Sequence, residues 1–350
     1  EWNDTELGKL PSRWKIMRFA DCIDKVIDYR GKTPKKLNGN WSKSGYRALS
    51  AKSVKTGRII NVNAIRFVNE ALYKRWMKDE IKRGDILMTS EAPLGECYFW
   101  DSDEKIVLSQ RLFAIRSRKQ LLNQFYLYSY LISRTFQHEL NSRASGTTVQ
   151  GIRQTELLNT LIVVPPMCEQ DIIASINMSL SSKIDLLRRQ NQTLENIAQA
   201  LFKRWFIDFE FPDKNGNPYK SSGGKMVESE LGEIPEGWRG GRINDLVKIL
   251  SGFAFKSSDF AESGKYRIVT IKNVQDGFFE KNTKDGVNEV PPKLPEYCML
   301  KNGNILLSLT GNVGRVCHVI GENYLLNQRV AKLQPIKNHD CAYVYLFFRQ

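Results

Sequence analysis

The chain has 350 residues, 41% of them hydrophobic, and 52 Lys and Arg stand against 38 Asp and Glu, a formal charge of +14. This length is enough for two domains with real cores, and the positive surplus points to a polyanion, nucleic acid first and a membrane surface second. No apolar run approaches the ~20 residues of a membrane span, and the opening Glu1-Trp2-Asn3-Asp4 has no apolar core of a signal peptide.

Taken in order, residues 10–166 mix short β-like runs with turns. Residues 58–67, 85–89, 106–115 and 161–164 read as strands, and 69–83 as a short helical or irregular connection. Residues 121–141 have helical spacing, with apolar positions at Leu121, Leu122, Phe125, Leu127, Tyr128, Leu131, Ile132 and Phe136. Pro165-Pro166 then stands before forty residues without Pro or Gly. In that stretch Leu180, Leu187, Leu194 and Leu201 recur every seven residues, with Ile173 one step earlier. A second row holds Ile184, Asn191, Ala198 and Trp205. Two adjacent rows of period seven are the seam of a coiled coil on a helix roughly 60 Å long at ~1.5 Å per residue. Asn191 is the kind of polar seam residue that sets register. Residues 208–236, rich in Gly, Pro and Ser, read as a linker.

After that stretch the first domain returns. Leu10-Pro11-Ser12-Arg13-Trp14 reappears as Ile234-Pro235-Glu236-Gly237-Trp238, and Ser44-Gly45-Tyr46-Arg47 as Ser263-Gly264-Lys265-Tyr266-Arg267. Lys82-Arg83-Gly84-Asp85-Ile86-Leu87 reappears as Lys301-Asn302-Gly303-Asn304-Ile305-Leu306. Leu94-Gly95-Glu96-Cys97 matches Val313-Gly314-Arg315-Val316, and Leu108-Ser109-Gln110-Arg111-Leu112 matches Leu326-Asn327-Gln328-Arg329-Val330. Five matches in order, over a hundred residues, are a duplication. The second copy stops at Gln350, in the counterpart of the helix that starts at Leu121. The start without Met predicts an upstream beginning, and about thirty residues of the second domain, with any second long helix, are absent from the chain. The domains are therefore 1–166, the helix 167–207, a linker 208–233, and a second domain 234–350 incomplete at its C-terminal end.

Charge is uneven along this plan. Residues 1–166 hold 28 basic and 17 acidic side chains, 167–207 hold 5 and 4, and 208–350 hold 19 and 17. The six cysteines (Cys22, Cys97, Cys168, Cys298, Cys317, Cys341) are scattered without a C-x-x-C pair, which fits reduced thiols and a cytoplasmic location. His138, His318 and His339 are too few and too scattered for a metal or catalytic cluster. Dinucleotide and phosphate-loop fingerprints are missing. Val163-Val164-Pro165-Pro166-Met167 has the proline pair of an adenine methyltransferase motif but not its Asn or Asp, and reads as a helix lead-in. Asp79-Glu80-Ile81-Lys82 contains the acid-x-Lys half of a metal-nuclease site, but its counterpart Tyr297-Cys298-Met299-Leu300-Lys301 lacks the acid. No cofactor is expected in this chain, and no self-contained catalysis.

Two degenerate copies, a coiled-coil helix and a basic surface together resemble the DNA-specificity subunit of a type I restriction-modification enzyme. The resemblance rests on Ser145-Gly146-Thr147-Thr148-Val149-Gln150-Gly151-Ile152, on Val164-Pro165-Pro166-Met167-Cys168-Glu169-Gln170, and on Ile197-Ala198-Gln199-Ala200-Leu201-Phe202-Lys203-Arg204-Trp205-Phe206. Ile234-Pro235-Glu236-Gly237-Trp238 and Gly252-Phe253-Ala254-Phe255-Lys256 also fit. It implies an α+β fold with two target-recognition domains, each gripping half of a split site in double-stranded DNA. It also implies docking of modification subunits through the central helix, and a restriction subunit that adds cleavage. The methyl donor, ATP and Mg would belong to those partners. A second long helix, which the resemblance calls for, is absent, so self-association on a symmetric split site is a variant of this reading. A coiled-coil scaffold and a self-contained nuclease are the alternatives from other classes.

The residue types select candidates for DNA contact. In the first copy they are Lys32, Thr33, Lys35 and Lys36 of a basic turn, Arg47 and Lys52, then Ser90, Gln110, Arg111 and Arg143. In the second they are Lys256, Lys272, Asn273, Thr310, Asn312, Arg315, Gln328 and Arg329. Because Gln110-Arg111 recurs as Gln328-Arg329, a structural role for that pair stays open. Lys35 and Lys36 have no second-copy counterpart.

Overall fold

The computed structural model describes residues 1–146, 148–256, 260–262, 264–281, 283, 285–337 and 340–350, with Glu262 described by its backbone only. Thr147 of the Ser145–Ile152 motif and His339 lie outside the described residues. Contacts divide the chain into two units, 1–186 and 187–350. The boundary falls inside the long helix, twenty residues beyond the expected domain edge.

The first unit begins with β1 (Trp2–Thr5), β2 (Gly8–Pro11), β3 (Lys15–Arg18), α1 (Phe19–Cys22) and β4 (Ile23–Asp28). It continues through β5 (Tyr46–Leu49), β6 (Val54–Lys55), β7 (Arg58–Ile59), β8 (Arg66–Val68) and α2 (Glu70–Trp76). Then come β9 (Ile86–Thr89), β10 (Cys97–Phe99), β11 (Val107–Leu108), β12 (Leu112–Ser117), α3 (Gln124–Leu131), α4 (Arg134–Ser142), α5 (Gln154–Leu158) and β13 (Leu161–Val164). One sheet has the order β10-β9-β12-β4 and a second the order β11-β5-β8. β3 pairs antiparallel with β13. Phe19, Phe113, Phe136 and Leu131 fill one core, on α3 and α4; Leu49, Leu72, Trp76 and Leu108 fill another, under α2.

Local chemistry explains the helix starts. The Asn69 side chain accepts from the Leu72 amide at the head of α2, and Leu72, Tyr73 and Trp76 share its buried face. Asn123 accepts from the Phe125 and Tyr126 amides at the head of α3, the usual capping of otherwise orphaned donors.

Three expectations need correction. The run 58–67 is not one strand, because Asn61 is left-handed (φ 53) and a 3-10 turn at Val62–Ala64 separates β7 from β8. The run 106–115 is two strands in different sheets, broken where Arg111 turns left-handed (φ 64). The helix over 121–141 is two helices, and Ser133 caps the second by accepting from Phe136 N at 3.3 Å.

α6 (Met167–Phe202) is a single 36-residue helix, followed by a π turn at Lys203–Ile207. Its first turn is locked into the first unit. Gln170, buried, accepts from Asn123 N (2.9 Å) and donates to Leu121 O (2.9 Å) and Pro165 O (2.8 Å). Glu169 accepts from Trp14 Nε1 at 2.9 Å and pairs with Arg13. The seam beyond it is exposed at Leu180, Ile184, Leu187, Leu194, Leu201 and Trp205, and at Asn191; Ala198 is half-buried.

The second unit begins at Leu187, inside α6. Residues 208–236 are not a bare linker. Phe211 stacks between Tyr219 (4.7 Å) and Trp238 (5.2 Å), and β14 (Met226–Ser229) pairs with β15 (Gly232–Pro235). α7 (Ile243–Leu246), β16 (Val247–Ser251), β17 (Ala261–Glu262), β18 (Tyr266–Val269), β19 (Val274–Gln275), β20 (Phe278–Phe279) and β21 (Asp285–Val287) follow. β22 (Met299–Leu300), β23 (Ile305–Ser308), β24 (Val316–His318), β25 (Tyr324–Leu326), β26 (Val330–Pro335) and α8 (Cys341–Phe347) complete it. Its sheets have the orders β16-β26-β23-β24 and β17-β21-β18-β25-β22. Phe202 and Phe206 pack on Tyr343 of α8 at 5.3 and 4.9 Å. Buried Arg349 pairs with Glu195 of α6 and with Asp276.

The duplication is thus real at the level of strands. β4, β12, β9 and β10 correspond to β16, β26, β23 and β24, and the parallel pair β5–β11 corresponds to β18–β25. It also extends further than the five matches. The hairpin β1–β2 is repeated as β14–β15, with Thr5 and Ser229 making the same turn contact to Gly8 O and Gly232 O at 2.6 Å. Thr5-Glu6-Leu7-Gly8 and Ser229-Glu230-Leu231-Gly232 carried that signal in the sequence.

Candidate nucleic-acid interface

In the first unit the turns before β5, after β5 and between β11 and β12 border one open cleft of about 800 Å³. Of the candidates, Lys32, Thr33, Lys35, Lys52, Gln110 and Arg111 line it. Lys35, Lys52, Gln110 and Arg111 are exposed. The sequence reading missed its other walls: Trp41, Arg66, Asn61 and the floor residue Trp76. The Arg66 guanidinium lies 5.3 Å from the Trp41 ring centre, and Trp41 leans on buried Trp76 at 6.3 Å. The Trp76 indole N–H has no hydrogen-bond partner.

The cleft's cations are not equivalent. Lys32 donates to Trp76 O at 2.7 Å and sits 4.1 Å from the Tyr29 ring. Burial, with Lys78 nearby, lowers its pKa, while its bond to Trp76 O braces the basic turn. Lys36 lies outside the cleft lining, with Nζ on Gly31 O at 2.9 Å. Arg111 pairs with Glu91 at 3.0 Å.

Three first-copy candidates are placed elsewhere. Arg47 is engaged by Glu104, and Arg143 by Glu139 (2.7 Å) and more distantly by Glu156. Ser90 is 1% exposed and cannot present a surface contact. Its backbone accepts from Ile152 N (2.9 Å) and donates to Arg111 O (2.9 Å), which ties the Ser145–Ile152 motif to the Gln110-Arg111 turn.

The second copy clarifies the recurrent Gln-Arg pair. Leu309 N donates to Arg329 O at 3.0 Å, just as Ser90 N donates to Arg111 O. The backbone of the pair fastens two loops in both copies, while the Gln328 and Arg329 side chains are exposed like Gln110 and Arg111. Lys256, Lys272, Thr310 and Asn312 are also exposed. Asn273 is not available: it is 1% exposed and its amide is spent on Thr270 N and Glu280 O, both at 2.8 Å. Arg315 is half-buried and donates to Gln275 Oε1.

The acid-x-Lys motif is consumed by ion pairs, Asp79 with Lys25 and Glu80 with Lys105. Among the described residues no group of three or more His, Cys, Asp or Glu could hold a metal, and no helix is long and apolar enough to cross a membrane.

The sequence model of the family described as "Type I restriction modification DNA specificity domain" matches residues 11–196 and 235–350. The MjaIX specificity subunit of Methanocaldococcus jannaschii is 27% identical over 89% of this chain and 69% of its own length. The MjaVIII specificity subunit of the same organism is 26% identical over 97% of this chain and 75% of its own. The HindI specificity subunit of Haemophilus influenzae is 24% identical over 78% and 71%. The crystal structure of the S subunit of a type I restriction-modification system from M. genitalium aligns over 99% of this chain and 79% of its own at 16% identity, with a TM-score of 0.46.

Proposed function

Since the chain belongs to the type I restriction modification DNA specificity family, with a DNA-recognition role, we propose that it reads a split double-stranded target, one half-site per copy. The observation that carries this is the cleft of the first copy, where exposed Lys35, Lys52, Gln110 and Arg111 converge. Lysines there position the duplex on its phosphates, and Gln and Arg are suited to adenine and guanine edges. The second copy offers Lys272, Gln328 and Arg329 on the same frame, with a different set of neighbours.

The exposed seam of α6 is the docking face for modification subunits. Its apolar residues are too many in one row to be scattered surface leucines. Methyl transfer and cleavage belong to those partners and to a restriction subunit, with the methyl donor, ATP and Mg. A genome-wide map of methylated adenines, in cells with this chain and its modification subunit against cells lacking the chain, tests the reading. A split motif that depends on the chain is expected. A symmetric split motif would mean that two copies of the chain act together through the seam. Identical methylation in both cell lines overturns the proposal.

A further inference from the structure

Exposed aromatic residues are ordinary on protein surfaces; one that recurs at the same backbone position in two diverged copies needs a reason. Trp41 and Phe260 each stand four residues ahead of a glycine, Gly45 and Gly264, and are 38% and 37% exposed. The residue after each is pinned the same way, Ser42 bridged to Phe67 and Ala261 paired with Gly286. Neither glycine tolerates a side chain, since a Cβ would lie 2.4 Å from Val68 O or 2.6 Å from Val287 N. Both copies therefore keep a partly exposed aromatic residue next to a paired strand residue and four residues ahead of a glycine with no room for a side chain.

In the first copy that ring is a wall of the basic cleft. Trp76 backs it, and Arg66 lies over it. Register places Asp285 at the strand position where the first copy has Arg66, so that position changes from cation to acid between copies while the aromatic residue persists. A ring kept on a changing charged background fits a contact with something common to both half-sites and apolar. The flat faces of the bases are such a feature: in a duplex they are covered by their neighbours, and apolar side chains reach them by wedging into a base step that unstacks.

We propose that Trp41 packs against a base of the first half-site, and Phe260 does the same in the second. The inference rests on the DNA-recognition reading of the cleft.

The test is binding of the full chain, with its modification subunit, to duplexes carrying the mapped motif, measured over a salt series. Trp41→Ala is expected to weaken binding at least about fivefold, the low end for losing one base–aromatic contact. The slope of log affinity against log salt stays unchanged, because no phosphate contact is lost. Trp41→Phe keeps most of the affinity and controls for folding. Arg66→Ala behaves differently and reduces the slope by about one. 2-Aminopurine placed in turn at each half-site position is expected to change fluorescence at one position on binding of the unaltered protein and not of Trp41→Ala. Equal affinity of Trp41→Ala and the unaltered protein overturns the inference alone. So does a slope reduced by about one, which would make Trp41 a prop for phosphate-binding lysines. Absence of salt-dependent binding by the unaltered complex overturns the inference together with the reading beneath it.

Discussion

The two copies build the same junction from opposite chemistry. In the first, the end of β9 and the start of β10 are tied by Thr89, whose Oγ1 accepts from Glu96 N at 2.8 Å; in the second, Ser308 Oγ accepts from Arg315 N at 3.0 Å. The amide of Gly95 donates to Thr89 O, and that of Gly314 to Ser308 O, both at 3.0 Å. On this shared backbone the first copy sets an ion pair, Lys55 to Glu96 at 2.7 Å. The second sets a cation on a neutral amide, Arg315 on Gln275. Acid in one copy has become base in the other, and its partner has changed with it. Divergence has therefore acted on side chains in compensating pairs while the hydrogen-bonded frame was kept, as a buried polar group left without its partner would require.

Where the copies stop being equivalent is the helix. α6 is divided between the units at Leu186 and Leu187, and the seam on either side of that boundary is exposed. The largest effect is expected there. Leu187 and Leu194 are 45% and 64% exposed, so Leu187→Lys with Leu194→Lys leaves both units folded by hydrogen exchange. Assembly with modification subunits, followed by analytical ultracentrifugation, is expected to weaken by more than about a hundredfold, since two central apolar anchors become charges. Unchanged assembly would show that the docking face lies elsewhere. Next in size is the shared frame. Gly45→Ala and Gly264→Ala each force a Cβ into backbone, and each is expected to destabilise its own unit by about 3 kcal/mol. Unit-resolved hydrogen exchange checks this. A large loss in one copy and none in the other would break the equivalence of the two turns.

Much of this was legible. The order of the copies, the helix with its seam and the β-like runs 85–89 and 161–164 followed from periodicity and punctuation. What escaped did so for physical reasons. In 106–115 the apolar run is continuous, and only the left-handed backbone at Arg111 shows that its halves belong to different sheets. In 208–236 the Gly, Pro and Ser content suggested a linker, while order comes from Phe211, Tyr219 and Trp238, whose stacking is invisible in one dimension. In the cleft, the basic turn at Lys35 and the Gln110-Arg111 pair were found by residue type. Trp41 and Arg66 were not, because an aromatic before a glycine and an arginine in a strand have no meaning until they face each other. Asn273 and Ser90 failed by burial, which polar residue type alone does not reveal.

Charge contacts sharpen the comparison at intermediate size. Lys35 has no second-copy equivalent, whereas Lys52 corresponds to Lys272. Removing Lys35 and Lys52 together is expected to lower the salt slope of DNA binding by about two, and Lys272→Ala by about one. Equal slopes for all three proteins would show that these lysines are solvated surface rather than phosphate contacts.

The smallest effect isolates the junction itself. Burial works against the Glu96 carboxylate, but Lys55, the Thr56 hydroxyl and the Thr56 amide (2.7 Å) more than offset it and hold its pKa below the ordinary 4.5. A depressed folded pKa means that the unfolded chain binds the proton first. The junction's stabilisation is therefore complete above pH 4.5 and is lost as pH falls through the lower folded value. Glu96→Gln is expected to cost the first unit about 1.5–3 kcal/mol at neutral pH, the scale of a hydrogen bond to a charged group, and to flatten its acid dependence. Gln275→Glu with Arg315→Lys, which adds an ion pair to the second copy, is expected to add its own acid dependence to that which Asp276 already brings there. Unit-resolved hydrogen exchange between pH 6 and pH 3 separates the outcomes. Equal acid sensitivity of the unaltered first unit and its Glu96→Gln form would move the responsible carboxylate away from this junction.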